Sequence, residues 1–196
     1  MTDLPRTPRT TPRRKPDRVS HDAQAIAAVL DEALVAHVGF VEDGLPMVVP
    51  ANAWRVGEFL HFHLAPRGRL AQVMASGAQL CVTVTLVDGL VLARSAMHHS
   101  MNYRSVMLFG VAEAVEAPEE KARVLTALVD HVVPGRSALV RSPDDRELAV
   151  TAVFRLRIAE GTMKARSGPP MDRADDLDRP VAAGVVPLTL ARGELV

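Results

Sequence analysis

The chain has one cysteine, one tryptophan and one tyrosine among 196 residues, and each scarcity closes off a class of protein. Cys81 alone can form no intramolecular disulfide. That removes the disulfide-stapled secreted scaffolds and gives a cytoplasmic, reducing setting as the expectation. Aromatics make up 4% against 48% hydrophobic residues, so the core has to be built from Val, Leu and Ala. No apolar run approaches the roughly 20 residues of a membrane span, so no membrane partner is expected. The first residues lack the apolar centre of a signal peptide. There is no Gly-x-Gly-x-x-Gly, no Cys-x-x-Cys, no His-Glu-x-x-His and no internal repeat, so neither a Rossmann dinucleotide site nor a dedicated metal site is expected. Net charge is zero but unevenly spread: residues 1–18 carry six basic groups against Asp3 and Asp17, which leaves the remainder at −4. A nucleic-acid-binding domain would show a basic face on its folded part, and nucleic acid is therefore not an expected partner.

What is present divides into an arm and one domain. Residues 1–19, rich in Pro, Thr and Arg, read as a disordered or surface-draped basic arm. Residues 20–196 read as a single domain with a C-terminal extension. Ser20 or Asp22 caps a helix whose Ile26, Val29, Leu30, Ala33 and Leu34 repeat at helical spacing. His37–Val41, an Asp43-Gly44 turn and Leu45–Pro50 make a hairpin, with Pro46 and Pro50 confined to an edge strand or to the strand's ends. In Phe59–Ala65, alternation puts Leu60, Phe62 and Leu64 on one face and His61, His63 and Ala65 on the other. Pro66 opens a short helix. Arg67 and Arg69 at its start suit a phosphate, because free N–H groups and guanidinium forks both favour an anion. Gln79–Val87 alternates, Asp88-Gly89 reads as a turn, and Leu90–Ala93 as a further strand. A helix from Pro118 carries Leu125, Leu128, Val129 and Val132, and a last long strand carries Val150, Ala152, Phe154, Leu156 and Ile158. Hairpin-joined strands with few helices give a mainly β fold, a small antiparallel barrel with peripheral helices.

The most informative stretch is His98-His99-Ser100-Met101-Asn102-Tyr103-Arg104-Ser105, followed by the apolar run Val106–Val111. Two imidazoles, two hydroxyls, an amide, a phenol and a guanidinium lead into a β-prone segment closed by Gly110. Donor-rich residues feeding a rigid strand can present polar groups to a ligand. Alternatively, this is a polar loop that enters a strand.

This stretch, with Val84–Ser95 before it, resembles the signature of the flavin-nucleotide-binding and nitroimidazole-reductase-like branch of the pyridoxamine 5′-phosphate oxidase-like proteins. The likeness runs from about Arg14 to Leu188, and includes Val49-Pro50-Ala51-Asn52 and Lys164-Ala165-Arg166-Ser167-Gly168-Pro169-Pro170. It implies a six-stranded split β-barrel of the FMN-binding type, a homodimer with the cofactor at the subunit interface, and FMN held by Val49, Pro50, Ala51, Asn52, His63, Arg67, Arg69, Asn102, Tyr103, Arg104 and Ser105. His98 and His99 are expected on the substrate side. No catalytic acid or base stands out. Two departures bear on affinity. Many close relatives carry His-Gly-Ser-x-x-Ser-Arg where this chain has His63-Leu64-Ala65-Pro66-Arg67-Gly68-Arg69, so both hydroxyl donors are missing. The nitroimidazole-reductase relatives show a closer local form, with Ala two residues after His and Gly where Gly68 stands. Ala182 stands where relatives usually have Trp.

The resemblance implies an FMN-dependent oxidoreductase acting by hydride transfer on a small-molecule substrate. The alternative is a non-catalytic flavin- or haem-binding carrier or sensor, with haem iron ligated by His63, His98 or His99. The Arg-Leu-x-x-Arg type of C-terminal signature that marks vitamin B6 oxidases is missing.

Overall fold

The computed structural model describes residues 2–195; Met1 and Val196, the outer ends of the two expected units, lie outside them. Helix α1, Ala23–Glu32, starts where Asp22 accepts hydrogen bonds from the amides of Gln24 (2.7 Å) and Ala25 (3.1 Å). These bonds satisfy amides that have no partner within the helix. Its Ile26, Val29 and Leu30 are fully buried. All strand pairs are antiparallel, and they form two sheets. In the first, the order is β1 (Val19–Ser20), β10 (Gly161–Arg166), β7 (Ser100–Gly110), β6 (Leu80–Leu92), β2 (Val35–Glu42) and β3 (Leu45–Asn52), with β11 (Gly184–Pro187) pairing β6. In the second, it is β4 (Trp54–Val56), β5 (Phe59–Leu64), β9 (Ala152–Arg157) and β8 (Ala112–Ala114).

The fold is thus mainly β and of the split-barrel type, with the strands held in sheets of seven and four instead of a six-stranded barrel. Four times, after β3, β5, β7 and β9, the chain crosses between the sheets. The core fills the space between them: Val38, Phe40, Val82, Val84, Val106 and Leu108 from one, Leu60, Phe62, Phe154 and Leu156 from the other. Helices α1 and α2 (Arg69–Ala75) contribute to the same core. Helix α3 (Pro118–Val132) covers the outside of the second sheet, forming a smaller cluster with Trp54, Val115, Val124 and Val153. Trp54 is fully buried there and donates from Nε1 to the Val124 carbonyl at 2.8 Å.

Strand β3 is a sheet edge, one of the two placements its prolines allow. Asp88-Gly89, by contrast, is no turn. β6 runs straight through it for 13 residues with a register shift between Val87 and Gly89. A β-carbon at residue 89 would sit 2.9 Å from Val185 Cγ1 and 3.1 Å from the Val186 carbonyl, so the glycine serves the close approach of β11. Helix α2 starts at Arg69 with Gly68 as its cap, three residues later than Pro66 suggested. The charged segment before β9 contains a further helix, α4 (Asp145–Ala149), closed by a capping box between Asp144 and Glu147.

The N-terminal residues are tied down at several points. Leu4 joins the core and its amide donates to the His21 carbonyl (2.8 Å); Arg9 pairs with Glu160 (2.5 Å) and lies 4.9 Å over the Phe109 ring.

Candidate functional site

Strand β7 starts at Ser100, so Asn102–Ser105 lie within it and alternate faces instead of turning together from a loop. Asn102 and Arg104 share the inner side with Val106 and Leu108. Tyr103 and Ser105 share the outer side with Met107. Asn102 is buried, donates to the Gly168 carbonyl at 3.1 Å and accepts from Arg166. It thereby fixes the segment after β10.

Arg104 is held by two acids. It donates to Glu32 at 2.6 and 2.9 Å and to Asp88 at 2.7 and 3.0 Å. These bonds hold the Glu32 carboxyl below its ordinary range and the guanidinium above its own. Beside them opens a cavity of about 700 Å³ whose walls include Asp130, His131 and Arg192. On its walls Glu32 and Asp88 are paired with Arg104, and Asp31 with Arg55.

The other expected site residues fall into two places. On β3, Val49 and Ala51 turn inward to the core, while Pro50 and Asn52 stand on the outer face; Asn52 also donates to the Leu34 carbonyl at 3.2 Å. His63, Arg67 and Arg69 belong to β5 and the start of α2. All three are exposed, and Arg69 pairs with Glu42 at 3.4 Å. His63 lies 6.1 Å from the Trp54 ring. His61, its neighbour on the same strand face, is buried under α3 and stacked on Trp54 at 5.8 Å. Burial, aided by the nearby Arg155 charge, pushes its pKa down to about 4. Its Nδ1 meets no hydrogen-bond partner among the described residues.

The outer face of the seven-stranded sheet is the feature that brings candidates together. Tyr103, Ser105, Pro50 and Asn52 all stand on it. So do Val35, Val41, Val48, Val87, Met101 and Met107, each 38% to 64% exposed. Across this apolar field runs a polar strip. Lys164, Ser105 and Thr85 are paired side by side on β10, β7 and β6, and Arg166, Tyr103 and Val87 form the adjacent row. Ser105 donates to the Lys164 carbonyl at 3.2 Å. Most Arg166 donors are spent on Asn102, Gly168 and Pro169, whereas Lys164 makes a single long bond, 3.4 Å, to the Arg14 carbonyl. Lys164 and Arg166 were not among the residues expected from sequence; their i, i+2 spacing on a strand is the signal that places both on one face. No group of three or more His, Cys, Asp or Glu that could hold a metal ion occurs among the described residues, and no helix there is long and apolar enough to cross a membrane.

Two antiparallel sheets around a shared core, with one wide sheet face left open, define a split-barrel protein of the flavin-binding type of fold. The family model described as pyridoxamine 5′-phosphate oxidase matches residues 22–165, and the chain belongs to that family. Among solved structures, the chain is similar to the flavocytochrome Anf3 from Azotobacter vinelandii, with 37% identity, a TM-score of 0.89, and coverage of 97% of this chain and 88% of that one. It is also similar to the FAD and heme binding protein from Mycobacterium smegmatis (36% identity, TM-score 0.86, 91% and 88% covered). A putative 5-nitroimidazole antibiotic resistance protein from Bacteroides thetaiotaomicron is more distant (26% identity, TM-score 0.64, 74% and 85% covered). A search of curated proteins found no match.

Proposed function

We propose that this chain is a redox protein that binds a flavin and a haem, and that it works as a homodimer joined through the outer face of the seven-stranded sheet. The observation that carries the reading is similarity along nearly the whole chain, at 36–37% identity, to two proteins whose names state flavin and haem together. The structure adds a physical reason. Six exposed Val and Met side chains on one sheet face form the kind of apolar patch that a partner surface or ligand covers. A polar strip crossing that patch can meet the polar edge of an isoalloxazine ring, with Tyr103 and Ser105 against the ring and Lys164 supplying free ammonium donors for phosphate.

Sequence reading favours FMN held at Arg67 and Arg69. We take FAD instead, because α2 lacks hydroxyl donors at its start, Arg69 already faces Glu42, and one similar protein is named for FAD. Asn102 and Arg104 lie on the opposite side of β7, and in this reading they position the strand and its neighbours. A flavin supplies one- or two-electron exchange, including hydride transfer, and haem iron supplies one-electron exchange. The chain then acts as an oxidoreductase on a small molecule, in a reducing compartment such as the cytoplasm.

The test is the purified full-length protein after reconstitution with FAD, FMN and hemin. The reading expects FAD to be retained over FMN, and Lys164→Ala to weaken flavin binding by about 1.5–3 kcal/mol, the range for a hydrogen bond to a charged group. Equal loss of both flavins on gel filtration, with Lys164→Ala silent, would overturn the placement on the outer face.

A further inference from the structure

The loop that joins β6 to β7 gathers nitrogen and sulfur donors. It carries Met97, His98 and His99, and both imidazoles are anchored on one residue, Ser95. His98 Nδ1 lies 2.6 Å from the Ser95 hydroxyl, and His99 Nδ1 lies 3.0 Å from the Ser95 carbonyl. The His98 amide donates to that same carbonyl at 3.2 Å. A carbonyl oxygen only accepts, so His99 Nδ1 carries the proton and its Nε2 keeps a lone pair. The hydroxyl of Ser95 can accept from His98 in the same way, which leaves His98 Nε2 free as well. An N–H held on a neighbouring oxygen is how proteins fix the direction of a metal-ligating imidazole.

A second segment comes to this loop. Residues 168–172 are pinned at one end by Asn102, which donates to the Gly168 carbonyl at 3.1 Å. At the other end the amide and guanidinium of Arg94 donate to Asp172 at 2.8 and 2.9 Å. Arg94 and Asn102 bracket the loop, so Met171 is held alongside it. Met97 and Met171 are the two most exposed methionines among the described residues, at 89% and 75%. Neither thioether serves the core, and both stand with the paired imidazoles. The carboxylate of the segment is committed, since both Asp172 oxygens are taken by Arg94.

Donor chemistry then selects the ion. Zinc sites are closed by thiolate, imidazole and carboxylate, and the only carboxylate held here is already paired. Thioether sulfur beside imidazole suits a soft monovalent ion, which among biological metals is Cu(I). We propose that the β6–β7 loop is a surface Cu(I) site, with His98 Nε2, His99 Nε2 and the sulfurs of Met97 and Met171 as ligands. It needs neither flavin nor haem.

The test is anaerobic titration of full-length protein, without added hemin, with Cu(I) in competition with the chromophoric chelator bicinchoninate, followed by X-ray absorption at the copper edge. Wild type is expected to take one Cu(I) per chain, with nitrogen and sulfur scatterers, and to bind Zn(II) at least about tenfold more weakly. His98→Ala and His99→Ala should each weaken Cu(I) binding by at least about tenfold. Met97→Leu combined with Met171→Leu should remove the sulfur scatterers, whereas Met107→Leu, on the sheet face, should change nothing. None of the four ligands belongs to a core cluster, so circular dichroism of every variant should stay native. Four results would each overturn the assignment: no saturable uptake by wild type, unchanged affinity in the histidine variants, a copper edge without sulfur, or Zn(II) bound as tightly.

Discussion

Replacing His61 by phenylalanine removes a titrating group from beneath α3 while keeping a flat ring against Trp54. The folded protein holds His61 neutral, with its pKa near 4 against an ordinary 6.5, burial being the main cause. In the unfolded chain the same imidazole takes up a proton as pH falls through about 6.5. Between those values the unfolded state binds more protons than the folded one, so stability rises with pH there and is fully present above 6.5. Going down from neutrality to pH 4.5, this one group costs about 2.5 kcal/mol, and near pH 4 the loss levels off. Urea unfolding of apoprotein at fixed concentration, at pH 7.5, 6.5, 5.5 and 4.5, reads the effect directly. Wild type should lose about 2.5 kcal/mol more than His61→Phe across that range, with similar m-values. The carboxylates with depressed pKa, such as Glu147 beside Arg141, are common to both proteins and cancel in the difference. Parallel stability curves for the two proteins would refute the claim that His61 is buried and neutral.

Trp54→Ala should destabilise the fold by about 3–5 kcal/mol, because it empties a fully buried site and frees the Val124 carbonyl; chemical denaturation checks it. Arg69→Ala removes one exposed ion pair with Glu42, so unfolding experiments should find a change within about 1 kcal/mol. Light scattering at micromolar concentration should give twice the 21.1 kDa chain mass, and Val48→Glu on the open sheet face should shift it toward monomer. A wild-type monomer would remove the shared-face arrangement.

Local pattern accounts for much of the architecture. The i, i+3, i+4 repeat of Ile26, Val29 and Leu30 and the cap at Asp22 place α1, and the alternation around Leu60 and Phe62 gives their burial. The misreadings trace to contacts distant in sequence. Asp88-Gly89 has the composition of a hairpin turn, yet β11 arrives from residues 184–187 and turns the glycine into a crossing point. Asn102–Ser105 look like a polar loop, yet pairing with β6 and β10 extends the strand back to Ser100 and sends alternate side chains to opposite faces. Val150 matches the strand pattern but is 70% exposed after α4, whose capping box lies in a segment of loop-like charge. His61 and His63 are equivalent by alternation, and only the landing of α3 buries one of them. The polar strip on the open face was partly visible, through Tyr103 and Ser105. Lys164 joins it by cross-strand register, which no local pattern reveals.

The central claim, that one chain holds a flavin and a haem, is tested most directly by the absorbance spectrum of the reconstituted and desalted protein, with both cofactors quantified after release. The account predicts a flavin band near ~450 nm and a Soret band near ~400 nm in the same preparation, each at about one cofactor per chain. A spectrum lacking either band after reconstitution, from protein with native circular dichroism, would contradict it.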